Sequence, residues 1–312
     1  MIYFIINEHS RTGEGTGIWK EVEAELKERK IAYKAYVTEY PEHAFLLAEE
    51  ISSLSDEEIP LVVLGGDGTM NEVINGIKNF EKVRFGLIPT GSGNDMARGL
   101  GITGTPKENL NRILKAIEAG SDADYRMDLG EVRWKGGKRP RLFAISAGVG
   151  LDAIVCKKAL TSKLKKALNK IHLGKLTYIL LTVQTLFSMK TEDVSAVIDG
   201  KGSRNMKKVI FSAAMNLRAE GGGVPMAPRA VSNDGKLSIC WAYGIPKWRT
   251  FFCLIPLVMA KHEGIKGFEV INCKECKLHM KEPVVLHADG EYCGDVTDVE
   301  FRCLPAKLKV MM

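Results

Sequence analysis

No apolar run in this 312-residue chain is long enough to cross a bilayer. Leu173–Met189 carries Lys175 and several polar residues, and Phe251–Ala260 contains Pro256 and follows Lys247 and Arg249. A transmembrane helix needs about 20 predominantly apolar residues. No secretory leader is expected, because Ile2–Ile6 is too short for an apolar core and has no basic flank. Cysteine is scarce and odd in number, seven residues from Cys156 onward, which is no disulfide framework and favours a reducing cytoplasm. The one CxxC, Cys273 and Cys276, lacks two further ligands at zinc spacing, since Cys293 and Cys303 are poorly placed. It reads either as a zinc pair or as two cysteines on neighbouring strand ends. Charge of one sign is also in short supply. The 44 basic and 38 acidic residues leave +6, too mild to argue for nucleic acid. Repeats, linkers and low-complexity tracts are missing as well.

What is present is ordinary for a globular protein, 45% hydrophobic and 26% charged, with enough length for two domains. The most informative stretch is 61–77. Leu61–Leu64 reads as a strand buried on both faces. Gly65, Gly66 and Gly68 surround Asp67, Thr69 is a good N-cap, and Met70, Val73, Ile74 and Ile77 have helical spacing. A strand, a glycine turn and a helix start present bare N–H groups to a phosphate. A carboxylate in the middle calls for a cation, so the stretch reads as a nucleotide phosphate with Mg²⁺ near Asp67. A tight turn whose glycines answer only to sterics is the alternative.

Other strands alternate with helices through about residue 124: Ile2–Ile6, Tyr33–Thr38 and Phe85–Ile88, the last followed by Pro89-Thr90-Gly91-Ser92-Gly93-Asn94-Asp95. That alternation predicts a mainly parallel α/β sheet, with Asn7, Thr38, Asp67 and Asp95 on the edge where such sheets bind ligands. Beyond Asp124 short strands and hairpin signals take over. Met127–Trp134 and Leu142–Ala147 flank one glycine turn, and Glu192–Ile198 and Val209–Met215 flank Asp199-Gly200-Lys201-Gly202. The expected fold is α/β plus β: residues 1–124 a parallel nucleotide-binding domain, residues 125–312 an antiparallel β-sandwich-like domain, its last strand free to return to the first. Helical stretches 152–189 and 246–261 interrupt the second domain. Lys157, Lys158, Lys163, Lys165, Lys166, Lys170 and Lys175 have almost no acid among them. They form either a solvated face or an attachment to an anionic membrane.

Gly65-Gly66-Asp67-Gly68-Thr69 with Asn71 and Glu72, Thr90 through Asp95, Gly221-Gly222-Gly223, Asn233-Asp234-Gly235 and Asp289-Gly290-Glu291 occur in that order. Together they closely resemble the diacylglycerol kinase catalytic-domain family, over nearly the whole chain. The resemblance implies an ATP- and Mg²⁺-dependent lipid kinase with diacylglycerol as the acceptor; phosphatidylglycerol, a sphingoid base or the NAD ribose are alternatives. A non-catalytic nucleotide or lipid sensor is a third reading. It further implies that Asp67 lies beside the ATP phosphates, that Asp95 and Asp128 belong to an aspartate–water–Mg²⁺ network, and that Glu291 is the general base. Nucleotide contacts fall on Asn7, Glu8, His9, Ser10, Arg11, Thr38, Gly66, Asp67, Gly68, Thr69, Met70, Asn71, Glu72 and Ser92. A structural Mg²⁺ falls on Asp234 with the carbonyls of Val231 and Lys236. The family usually has Pro and Gly where this chain has Glu8 and Arg11. The implied partner is a lipid at an anionic membrane surface, met transiently from the cytoplasm. A homodimer is compatible with the sequence, and no nucleic acid is expected.

Overall fold

In the computed structural model, residues 1–54, 57–161 and 174–312 are described. Lys163, Lys165, Lys166 and Lys170, central to the lysine-rich reading, lie outside them. The chain divides into one compact unit of residues 1–129 with 305–312 and a second of residues 130–304.

The first unit alternates β1 (Ile2–Ile6), α1 (Glu14–Glu28), β2 (Tyr33–Val37), α2 (His43–Ile51), β3 (Ile59–Gly65), α3 (Asp67–Gly76), β4 (Val83–Pro89), α4 (Asp95–Gly99) and α5 (Pro106–Ala119). The strands are parallel in the order β4–β3–β1–β2, Ile6 lying opposite both Val37 and Leu64, and Gly65 opposite Pro89. Residues 309–310, at the end of the chain, add beside β4, also parallel. Central strand β3 is apolar throughout because helices cover both of its faces. Phe4, Ile6, Val62 and Leu64 pack with Trp19, Val22 and Leu26 of α1 and Leu110 and Ile113 of α5. α5 has the cleanest start: Pro106 at its first position and a reciprocal capping box between Thr105 and Glu108.

The second unit is antiparallel. Its elements are the last residues of β5 (Tyr125–Trp134), then β6 (Arg141–Phe143), β7 (Ser146–Gly150), α6 (Leu151–Thr161), α7 (Gly174–Ser188), β8 (Glu192–Ile198), β9 (Lys201–Val209), β10 (Phe211–Met215), β11 (Leu237–Ala242), α8 (Lys247–Val258), β12 (Phe268–Cys273) and β13 (Glu275–Ala288), closed by β14 (Glu291–Val310) up to residue 304. β12, β11, β10, β7 and the end of β13 form one run; β9, β8, the start of β13, β14, β5 and β6 form the other. An irregularity between His279 and Val284 lets β13 serve both. Between the runs lies a core of Phe143, Val149, Trp241, Leu278, Leu286 and Phe301. Phe211, Ala213 and Met215 face a second core instead, with Leu186, Cys253 and Leu257 from α7 and α8.

This pattern corrects the second hairpin. The partner of β8 across Asp199-Gly200 is β9, not the apolar Phe211–Met215 segment. β9 is polar, KGSRNMKKV, because among the described strands it pairs with β8 alone and is largely exposed. The segment beyond it is apolar because both faces of β10 are buried. Lys277–Met280 and Val284–Ala288 fall in the single irregular strand β13, and residues 297–304 and 307–310 in the single β14. Cys273 and Cys276 are buried at neighbouring strand ends. Burial pushes the Cys273 thiol up to about 12 and raises Cys276 as well, so neither is a ready thiolate ligand.

One buried ion pair closes the first unit. The Arg84 guanidinium donates to both Asp124 oxygens, at 2.6 and 2.8 Å, and to the Ala116 carbonyl at 2.7 Å. Substituting Asp124→Ala strands that guanidinium in the interior. Unfolding in denaturant should show a loss of about 3–5 kcal/mol; a loss below about 1 kcal/mol would mean that water reaches Arg84.

Candidate active site

The carboxyl ends of β1 to β4 bring four loops to one edge of the first unit. Asn7 follows β1 and donates its N–H to the Leu64 carbonyl at 2.9 Å; Thr38 follows β2 and donates to Ile6 at 2.8 Å; Thr90 follows β4 and donates to Gly65 at 2.9 Å. Side chains tie the same loops. The Asn7 amide donates to Thr69 Oγ1 at 2.9 Å, and the Ser10 and Thr90 hydroxyls share a bond of 2.7 Å. Asn7 Oδ1 in turn accepts the His9 N–H at 3.1 Å, shaping a loop that becomes a 3-10 turn at Ser10–Gly13.

α3 starts earlier than the sequence suggested. Its N-cap is Gly66, in extended backbone, and Thr69 sits inside the first turn. The reason is Asp67. It is the first helical residue, and its carboxylate accepts the N–H groups of Asp95 and Met96 at 3.0 and 3.1 Å. It therefore caps α4 from the neighbouring turn.

The two glycine turns meet backbone to backbone. A Cβ on Gly91 would lie 2.8 Å from the Gly66 Cα and 2.8 Å from Asn94 Oδ1, and one on Gly93 would lie 3.0 Å from Asp67 Oδ2. Asn94 supports the turn in left-handed backbone, φ 51°. The nearly buried Asp95 carboxylate pairs with Arg98, whose other nitrogen donates to the Gly93 carbonyl at 2.6 Å. Met70 and Asn71 are buried, Glu72 is half-buried, and Ser92 is exposed on the turn. Asp128 is fully buried in β5 and accepts the Ala306 N–H at 2.7 Å, both residues within the first unit.

In the second unit Asp289 and Gly290 form a two-residue turn with φ of 47° and 85°, the left-handed pair of a type I′ hairpin. The Asp289 carboxylate accepts the N–H groups of Ala144, Ile145 and Ser146 at 2.8, 2.8 and 3.0 Å. Glu291 leaves this turn half-buried, and its carboxylate makes no hydrogen bond or ion pair among the described residues. Behind the turn, His287 Nδ1 accepts the Gly290 N–H at 3.3 Å and Nε2 donates to Asp152 at 3.1 Å. Glu220, whose carboxylate accepts the Ser146 hydroxyl, completes a cluster with ligand atoms within 4.8 Å of one another. With Nε2 donating, His287 is hydrogen-bonded to Asp152 and Glu220 lies beside them; a metal there would first displace the Nε2 proton.

Sequence reasoning missed Asp152 and Glu220. His287 and Asp152 are 135 residues apart and meet only through strand register, Gly148 lying opposite His287 and Ala213. A Cβ on Gly148 would sit 2.3 Å from the Asp152 carboxylate, so this glycine makes the room. The one legible signal was a glycine in mid-strand. Asp234 is exposed and its Oδ1 accepts the N–H of Lys236 at 3.0 Å, closing the turn; Val231 is exposed nearby in sequence.

Two family models match the chain: "Diacylglycerol kinase catalytic domain" over residues 1–123 and "YegS C-terminal NAD kinase beta sandwich-like domain" over residues 145–312. YtlR of Bacillus subtilis (strain 168), named provisionally as a lipid kinase, is 29% identical over 310 residues, covering 99% of this chain and 98% of its own. The diacylglycerol kinase of the same strain is 30% identical over 258 residues, covering 81% of this chain and 77% of its own. A crystal structure from Bacillus anthracis str. Sterne, provisionally described as a diacylglycerol kinase, superposes with a TM-score of 0.77 at 20% identity, covering 99% of this chain and 96% of that one. It shares the fold.

The contact between the glycine turns gives a stability contrast. Gly91→Ala places a methyl group against the Gly66 backbone and should cost about 1–3 kcal/mol in denaturant unfolding. Ser92→Ala, next in sequence but exposed, should stay within about 0.5 kcal/mol of the parent. Equal effects would mean that the turns do not touch.

Proposed function

The chain belongs to the diacylglycerol kinase family, and from that premise we propose that it is an ATP- and Mg²⁺-dependent lipid kinase that phosphorylates the free hydroxyl of diacylglycerol to give phosphatidic acid. The observation that carries the nucleotide half is the pair of joined glycine turns at the carboxyl edge of a parallel sheet. Gly66 and Gly91 bring two backbones together with no side chain between them, and α3 begins at that point. Such a place accepts phosphate oxygens on N–H groups and a helix N-terminus. Asn7, Thr69, Ser10 and Thr90 fix the walls through their mutual hydrogen bonds.

Asp67, Asp95 and Asp128 offer hard carboxylate oxygens of the kind Mg²⁺ takes, but among the described residues it is the ligand atoms of Asp152, Glu220 and His287, not theirs, that gather within 4.8 Å of one another. The three aspartates therefore form no ready-made cage, and Mg²⁺ bound with the nucleotide would supply neutralising charge for the phosphates. Asp67 also has a task of its own, keeping the second turn against the first. Arg98 sets the direction of the Asp95 carboxylate.

Glu291 suits the general base, because its carboxylate is not consumed by a structural bond while its neighbour Asp289 is consumed by three. An alcohol is too weak an acid to be deprotonated beforehand. Glu291 therefore takes the hydroxyl proton as the new O–P bond forms and the bond from the γ-phosphorus to the leaving ADP oxygen breaks. Phosphoryl transfer asks little more of a protein than alignment and charge stabilisation.

Incubation with γ-labelled ATP, Mg²⁺ and diacylglycerol in mixed micelles should yield labelled phosphatidic acid. Glu291→Gln should lower kcat by about 10²–10⁴-fold with nucleotide binding intact. Near-normal turnover in that variant would remove Glu291 as base. Label that goes instead to phosphatidylglycerol, a sphingoid base or NAD in a parallel panel would replace the acceptor. Nucleotide binding with no label on any of them would favour the sensor reading.

A further inference from the structure

The second unit carries an apolar surface that its own fold leaves uncovered. α8 buries Thr250, Cys253 and Leu257 against the body of the unit. The opposite side presents Trp248, Phe251, Phe252, Ile255, Val258 and Met259, each between 37% and 64% exposed. Their spacing of three and four residues makes one continuous stripe. α7 extends it: Phe187 is exposed and lies 6.0 Å, ring to ring, from Phe251. Lys247 locks the two helices together by donating to the carbonyls of Phe187, at 3.2 Å, and Met189.

The charges around the stripe are mostly basic, and Glu263, between Lys261 and Lys266, is paired with Arg229 at 3.2 Å. α8 contains no acidic residue, and Lys247 and Arg249 stand in its first turn. Cations at a helix N-terminus oppose the helix dipole, so they do not serve the stability of the helix. Arg249 is exposed, and Lys261 and Lys266 are exposed just beyond the C-terminal end. An apolar stripe rich in Trp and Phe with basic residues at both ends is the composition of a helix lying in a bilayer interface.

We propose that α8, with the adjoining end of α7, is a membrane-docking surface whose partner is an anionic phospholipid bilayer: the aromatic stripe enters the interface and Arg249, Lys261 and Lys266 meet the headgroups. A second copy of the chain is the poorer occupant. A two-fold contact through the same patch would set these like charges against each other. The proposal goes beyond the kinase reading, and vesicle binding is measured without ATP, so either can fail while the other stands.

Trp248 supplies the probe, because Trp19 and Trp241 are buried and Trp134 is half-buried. With vesicles of phosphatidylcholine plus phosphatidylglycerol, the full chain should co-sediment and Trp248 emission should move to the blue. Phe252→Asp with Ile255→Asp should reduce the partition coefficient at least about tenfold. Arg249→Glu with Lys261→Glu should weaken binding to these vesicles and not to phosphatidylcholine alone. Circular dichroism of both variants checks that they fold, as exposed positions allow. Absence of binding, or unchanged binding in the aspartate variant, overturns the docking surface. Equal binding to vesicles with and without phosphatidylglycerol overturns its anionic partner. A vesicle-free dimer that the aspartate pair dissolves assigns the stripe to a second copy and overturns the proposal.

Discussion

The first unit depends on one carboxylate that serves as a backbone acceptor. Asp67 accepts the N–H groups of Asp95 and Met96 and so holds the turn after β4 against the turn after β3. Hydrogen bonds to an ionised acceptor contribute about 1.5–3 kcal/mol each, enough to hold two loops that carry almost no apolar side chains. Glycine is the corollary, since any side chain at 66 or 91 would push the two backbones apart. The parallel sheet supplies the rest of the arrangement: its register ends β1, β2, β3 and β4 at one edge.

The second unit repeats the device with different residues. Asp289 accepts three N–H groups from residues 144–146, which anchors the type I′ turn and leaves the following Glu291 carboxylate without a structural partner among the described residues. His287 and Asp152 brace the same turn from the strand side. In each unit, then, one aspartate holds a loop, and the chemistry assigned to its neighbours relies on that rigidity.

Much of the architecture was legible because it rests on periodicity. The apolar run of β3, the alternation of strands and helices, and the switch to short strands beyond residue 124 all follow from which faces are buried. Where the reading failed, pairing partners rather than element types were at fault. β9 looked like a loop because an edge strand has no reason to be apolar, and β10 looked like its replacement because its burial on both faces gives a strong signal. N-cap preference puts the start of α3 at Thr69 and cannot anticipate a carboxylate at Asp67 reaching another turn's amides. Asp95 and Asp67 could be placed together because both follow strands of one sheet. Asp152, Glu220 and His287 could not, since only antiparallel register joins them. Of the lysine-rich segment, Lys157 pairs with Asp295 at 3.1 Å and Lys158 donates to Thr185 at 3.0 Å. The uncovered stripe of α8 became visible only once the buried face of that helix was known.

The central claim is that this chain moves a phosphoryl group from ATP to a lipid hydroxyl. Phosphorus NMR of the protein with ATP, Mg²⁺ and diacylglycerol micelles tests it directly, because donor and product are seen together. The account predicts a phosphomonoester signal on the lipid that rises one for one as the γ-phosphate signal falls. A γ-phosphate signal that persists, or that passes only into inorganic phosphate, would contradict it.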